Sequence, residues 1–410
     1  MTSTASTTVN DAGAAPSASA TRPQGQTVMG ILGAVALVHL FNDLTQAMLP
    51  SIYPMLKAQF GLSFTQVGLI TLVFQCTASL LQPWIGLYTD RKPMPFLLPL
   101  GMCATLIGVL MMSIAASFTA LLVAAALIGV GSSTFHPEAS RVARIASGGR
   151  FGFAQSLFQV GGNIGSALGP LLAAGIIIGR GQGNIAWFAT LVVVAIAVLV
   201  RVSRWHRDHL AGLPRKTAPP AVSPLSQRRV IGALTVLALL VFSKYIYMSS
   251  LSSYYTFYLI DKFGLSVASA QMYLFLFLAA VAAGTFMGGP IGDRIGRKRV
   301  IWMSILGAAP FTLLLPYVGL LWTAILSVVI GFVISSAFSA IVVFAQELMP
   351  GKVGMIAGIF FGLMFGVSGI GAAAMGHLAD VAGIAYVYKL CSYLPLLGVL
   401  AVFLPNTERR

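Results

Sequence analysis

The chain has 410 residues, 57% hydrophobic and only 9% charged, where an ordinary soluble domain carries roughly 25% charged residues. That balance excludes a globule surrounded by water, so lipid must be the solvent for most of the chain. The formal charge of +15 raises nucleic acid as a partner, but the basic residues gather in connections between apolar runs, which excludes that reading as well.

Residues 1–27 are rich in Ser, Thr, Ala and Pro and lack the basic start and apolar run of a cleaved signal peptide. They are expected to form a disordered cytoplasmic tail. A bilayer core takes roughly 20 apolar residues per helix. Such windows follow near 28–54, 62–89, 94–114, 117–143, 150–178 and 184–203. A basic, Pro-rich stretch at 204–228 then reads as a cytoplasmic linker. A second set of windows lies near 229–260, 267–292, 298–318, 320–347, 352–380 and 384–404, with 405–410 as a closing tail. The alternation of a membrane β-barrel is absent. The expected fold is therefore an all-α membrane protein with twelve transmembrane helices in two six-helix bundles, 28–203 and 229–404.

With the first helix leaving the cytoplasm, Arg91, Lys92, Arg144, Arg150, Arg201, Arg204, Arg207, Arg294, Arg297, Lys298, Arg299 and Lys352 all fall inside. The opposite connections hold little more than Lys57, Arg180, Lys262 and Lys389. This bias orients both termini toward the cytoplasm and suits a multi-pass protein of a bacterial inner membrane. Cys76, Cys103 and Cys391 sit in apolar stretches, where a thiol behaves as a small hydrophobe. No disulfide framework, metal-ligand spacing, Walker loop, nucleophile elbow or haem-attachment motif is visible. An enzyme, an ATP-driven pump, a cofactor and a metal are therefore not expected.

Two segments repeat six spans apart: Gly86-Leu-Tyr-Thr-Asp90-Arg91-Lys92 and Gly289-Pro-Ile-Gly-Asp293-Arg294-Ile-Gly296-Arg297-Lys298. Glycine permits a close helix approach, and Asp293 is placed to pair with Arg297 or to cap the next helix. The second copy matches, and the first partly resembles, the loop signature of the major facilitator superfamily. The resemblance implies an inner gate built from Asp90, Arg91, Asp293, Arg294 and Arg297. In the fifth span, Gly161-Gly-Asn-Ile-Gly165-Ser-Ala-Leu-Gly169-Pro170 forms a stripe of small residues for helix packing. Pro170 removes a backbone hydrogen bond there. This stripe, with Gly165, Gly169 and Pro170, resembles an element of antiporters in the superfamily. The Arg of the superfamily's usual fourth-span signature is missing, Ala125 standing four residues before Gly129.

A longer match runs through His39, Asn42-Asp43, Ile52-Tyr-Pro54, Gln82-Pro83 and Thr89-Asp90. It continues through Phe135-His136-Pro137-Glu138-Ala-Ser140-Arg141, Ser147-Gly-Gly-Arg150 and Gln155-Ser-Leu-Phe-Gln159-Val-Gly-Gly-Asn163. This run resembles the fosmidomycin resistance protein family and implies export of a small phosphonate antibiotic in exchange for protons.

Independently of any resemblance, an ionisable side chain at bilayer depth is costly and marks a pathway. His39 and Asp43, four apart, share one helical face and form a candidate proton-coupling pair. His136 and Glu138 join them as proton candidates; Glu138 reads equally as an inner-gate ion pair with the gate residue Arg141, placed to neutralise it three residues away. Glu347 occupies the corresponding place in the second half and reads as a gate residue. Lys244, near mid-membrane with Tyr247 and Tyr255 on the following turns, suits an anionic substrate; snorkelling or pairing with Asp43 are the plainer alternatives. Gln46, Gln159 and Asn163, with Gln75 and Gln155, are placed to complete a polar cavity, and His377 and Asp380 an outer closure.

The reading is a proton-coupled secondary antiporter, a monomer whose partners are a small molecule, protons and the lipid bilayer. An importer of a sugar phosphate, organic acid or other metabolite by proton symport stays open, as does a membrane sensor that moves nothing.

Overall fold

A computed structural model of the protein describes residues 26–62, 64–177, 179–212 and 225–406. The first half runs α1 (Met29–Ser51), α2 (Tyr53–Phe60), α3 (Phe64–Leu80), α4 (Gln82–Arg91), α5 (Leu97–Ile114), α6 (Phe118–Ala146), α7 (Phe151–Ile176) and α8 (Ala186–Ala211). The second runs α9 (Gln227–Phe263), α10 (Val267–Ile295), α11 (Arg297–Leu314), α12 (Leu320–Ser335), α13 (Ala337–Leu348), α14 (Val353–Ala382) and α15 (Ile384–Cys391), ending in a 3-10 stretch at Leu394–Phe403.

Several expected spans are broken rather than continuous. The second divides into α3 and α4 at Leu81, where Pro83 occupies the start of the new helix, a position that needs no amide hydrogen. The tenth divides into α12 and α13 at Ser336. The sixth continues past 203 to Ala211, so 204–211 belong to α8 and Gln227 already opens α9. Of the expected linker, 213–224 lie outside the described residues, as do 1–25 and 407–410 of the expected tails.

Among the described residues, eleven helical stretches are long and apolar enough to cross a membrane. The fifth expected span, α7, has 26 residues, about 39 Å of helix, but its Gly and Gln content dilutes its hydropathy. Large apolar side chains such as Trp84, Leu171 and Trp187 remain exposed on the outer faces, because hydrocarbon rather than water meets them.

Each half presents its second span to the fifth span of the other. Gly86 on α4 lies against the backbone of Gly354 on α14, and Gly289 on α10 lies against Gly152 on α7; a Cβ at either would run into that backbone. Gly296, between α10 and α11, has φ +98°, a region open to glycine and strained for other residues. The glycine stripe of α7 works inside the first half. Gly161, Gly165 and Gly169 seat α1 along Ala36, Leu40, Leu44 and Ala47, which fixes the helix that carries His39 and Asp43.

Candidate functional site

The ionisable side chains form two groups. The first lies at the end of the molecule that carries the basic connections. Asp90 reaches across to α14 and accepts hydrogen bonds from the backbone amides of Gly354 at 3.0 Å and Met355 at 2.9 Å. Asp293 does the same for α7, accepting from Gly152 and Phe153, both at 2.9 Å. First-turn amides have no partner within their own helix, and a negative charge there is favoured by the helix dipole. The N-cap residues of these helices are Lys352 and Arg150, and neither supplies a side-chain cap. Each half therefore caps a helix of the other.

Arginines lock the two clasps. Arg141 Nη2 lies 2.7 Å from Asp90 and its Nη1 2.7 Å from Glu138, while Thr89 donates a short hydrogen bond to Glu138. Arg297 bridges Asp293 at 3.1 Å and Glu347 at 3.3 Å. Arg144, which the gate expectation left out, donates to Gln346 at 3.1 Å. Gln346 in turn reaches Ser140, which donates to Gln155. Arg91 and Arg294 are exposed and make no ion pair among the described residues. Each follows its aspartate by one residue, about 100° around the helix, and so points away from the clasp. Glu138, open between proton carrier and inner-gate ion pair, lies at this end, paired with Arg141. It stands two residues from His136, and that spacing puts the two side chains on different faces.

The second group lies deeper. His39 and Asp43 on α1 meet His136 on α6: His39 Nε2 is 3.3 Å from Asp43 Oδ2, and His136 Nε2 is 3.5 Å from Asp43 Oδ1. Asn42 donates to Asp43 at 2.9 Å and Gln46 at 3.3 Å. His39 Nδ1 faces the Phe158 carbonyl at 2.7 Å, and His136 Nδ1 faces the Ser132 carbonyl at 3.0 Å. A carbonyl only accepts, so the Phe158 contact places hydrogen on His39 Nδ1. In the neutral ring the His39 Nε2 is then a lone pair pointed at a carboxylate, and attraction between His39 and Asp43 requires a further proton. His136 Nδ1 also lies 3.4 Å from the Ser132 hydroxyl, so either tautomer of that ring is satisfied, and its Nε2 has no well-aligned hydrogen bond.

These three side chains also have the donor atoms of a metal site, within 4.8 Å of one another. Neighbouring ligands of a tetrahedral zinc at about 2.1 Å stand only roughly 3.4 Å apart. The two separations to Asp43, 3.3 and 3.5 Å, match that spacing, but two side-chain amides already donate to the same carboxylate.

Lys244 is 3% exposed and forms no ion pair or hydrogen bond among the described residues. Its Nζ lies over the rings of Tyr245 at 4.8 Å and Phe338 at 5.4 Å. It does not pair with Asp43. Phe338 packs on Phe361 at 5.4 Å between centroids, and Phe361 on His136 at 5.1 Å, so two rings connect the lysine to the cluster. Tyr247 and Tyr255, expected beside Lys244, are buried in the apolar interior of the second half with Leu251, Phe277 and Tyr388; the Tyr255 hydroxyl donates to Thr323 O at 3.4 Å. Asn163 crosses the halves to Thr285 at 3.1 Å. Gln159 is buried with its Oε1 unpartnered. His377 and Asp380 are exposed at the far end of α14.

Among the described residues, hydrogen bonds between the halves are thus gathered between the basic end and the Asn163–Thr285 level. The arrangement is a closed end, a buried titratable cluster above it, and an unpaired cation nearby in the other half.

The model of the Major Facilitator Superfamily matches residues 35–369 and 237–410. The fosmidomycin resistance protein of Escherichia coli (strain K12) is 56% identical over 393 residues, which are 96% of this chain and 97% of that protein. An uncharacterized MFS-type transporter, YfnC, of Bacillus subtilis (strain 168) is 40% identical over 388 residues, 94% of this chain and 95% of its own length. Among solved structures, the E. coli fucose:proton symporter FucP superposes with a TM-score of 0.71 at 16% identity, covering 94% of this chain and all of that one. The human organic anion transporter TETRAN does so with 0.71 at 17%, with the same coverage. At such identities the likeness shows the fold alone. Family and fold are those of a multi-pass membrane transporter and not of an enzyme, and the chain belongs to the Major Facilitator Superfamily.

Proposed function

We propose that the protein exports a small anionic antibiotic of the phosphonate class, such as fosmidomycin, across a bacterial inner membrane in exchange for protons. The observation that carries this reading is the buried His39–Asp43–His136 trio, in which two imidazole Nε2 atoms face one carboxylate. The relative named for fosmidomycin resistance supports the substrate. By the positive-inside rule the basic end is cytoplasmic, so both termini lie inside, the bundle ending with α8 and the bundle opening with α9 close toward the cytoplasm here, and a monomer suffices.

Coupling needs substrate and proton to bias one equilibrium between two states. Lys244 is the anchor for the anionic group, with Gln159 and Asn163 as further donors or acceptors. Asp43 and its histidines hold the proton. Opening toward the cytoplasm means withdrawing Asp90 from α14 and Asp293 from α7, and each withdrawal exposes first-turn amides beside a basic N-cap.

The test is proton movement in proteoliposomes containing a trapped pH dye. Fosmidomycin added on the side it leaves from is expected to drive protons in the opposite direction. A sugar phosphate and a lipophilic cation should do so weakly or not at all. Proton entry together with a sugar phosphate would establish the symporter instead, and no movement with any solute would favour a sensor.

A further inference from the structure

Phe361 is fully buried on α14 of the second half, yet three of the rings it touches belong to the first. Its centroid is 5.1 Å from His136, 6.5 Å from His39 and 6.0 Å from Phe158, and on its own side it meets Phe338 at 5.4 Å. Phe365, one turn on, adds a second ring 5.1 Å from His136. On the adjoining face of α14, Gly354, Gly358 and Gly362 lie against Gly86, Gln82 and Ser79. That seam of small residues lets α14 sit close enough to push its aromatic rings into the other bundle.

The level of Phe361 matters. At 1.5 Å rise per residue, Phe361 stands about 12 Å and Phe158 about 10 Å above the basic ends of their helices, while His39 and His136 each stand about 15 Å and Asp43 about 21 Å above the basic ends of α1 and α6. The rings therefore lie between the cluster and the closed end. Below them come Ser140, Gln155 and Gln346, a hydrogen-bonded polar set through which water would be expected to reach the cluster if the rings were absent. An apolar plug without hydrogen-bonding groups is a barrier to water and to proton transfer alike.

We propose that Phe361 is the seal that keeps the proton cluster out of contact with cytoplasmic water in this state, and that it is withdrawn with α14 when the halves part. Because the seal belongs to one half and the cluster to the other, proton access is tied to the rocking motion itself. The side chain is a positioning residue that touches the cluster without exchanging the proton. This inference rests on the proton reading above.

The experiment uses the full-length protein in liposomes under an imposed pH gradient with no substrate. Wild type should hold the gradient. Phe361→Ala should let it collapse severalfold faster, and the double variant Asp43→Asn with Phe361→Ala should be tight again, because the leak runs through the cluster. A tight Phe361→Ala variant overturns the proposal, and so does a leak that Asp43→Asn leaves unchanged. Should the alanine variant not be recovered folded, Phe361→Leu and Phe361→Val replace it: a leak that grows as the side chain shrinks supports the seal, and two tight variants overturn it. Failure of the proton reading has a separate signature, proton-driven export by the Asp43→Asn single variant.

Discussion

The closed end and the middle of the membrane both hold ionisable side chains where water is scarce, but they hold them differently. At the closed end Asp90, Glu138, Asp293 and Glu347 each have an arginine partner, and the plan is repeated: Asp90 with Arg141 serves α14, and Asp293 with Arg297 serves α7. In the middle nothing is repeated. The first half has a carboxylate between two imidazoles, and the second has a lone ammonium under two rings. On the proposed reading the duplicated, paired network holds a state, and the unduplicated centre receives something from outside.

The comparison breaks first at Arg141. Removing one partner from a buried ion pair costs about 3–5 kcal/mol, because the remaining charges are left uncompensated. Arg141→Ala strands both Glu138 and Asp90 and should lower the melting temperature in detergent far more than Asp43→Asn does. Equal losses would show that the centre is as much a structural network as the end. A smaller effect follows from Gly289→Ala, whose added methyl meets the Gly152 backbone; overpacking of this kind costs about 1–3 kcal/mol and here falls on the closed state. In a background with Cys76, Cys103 and Cys391 changed to Ser, Ser140→Cys should then react faster with an impermeant thiol reagent in inside-out vesicles. Unchanged labelling would mean the seam can absorb the methyl. Smallest is Asp293→Asn, which keeps an acceptor oxygen and loses the charge, worth about 1 kcal/mol at a helix N-terminus. Asp90→Asn should exceed it in the same labelling assay, since the ion pair it breaks with Arg141 is shorter and more buried, 2.7 Å against 3.1 Å for Asp293 with Arg297.

The membrane-spanning helices were legible because lipid imposes one requirement along their whole length, and the loop signature because its chemistry is local. His39 and Asp43 could be paired from their spacing of four. His136 lies more than ninety residues further along, and only the packing of α6 beside α1 reveals that it completes the cluster, while its near neighbour Glu138 turns toward α4. The same limit hid the partners of the two aspartates. Their targets are backbone amides of α14 and α7, which carry no side-chain signal, and the Lys352 and Arg150 N-caps hint at them only once the helix starts are known. Arg91 and Arg294 were overread because adjacency in sequence is not adjacency on a helix. Lys244 stood out by charge, but the ring of Phe338 between it and the first half could not be placed from an apolar run of tolerant composition.

The claim that protons drive export through the trio is tested most directly by comparing two transport modes of Asp43→Asn in proteoliposomes. With labelled fosmidomycin on both sides and no pH gradient, exchange should continue near the wild-type rate, since the substrate anchor and the gate are intact. With a pH gradient imposed, uphill accumulation should be lost. Wild-type accumulation by this variant would contradict the account.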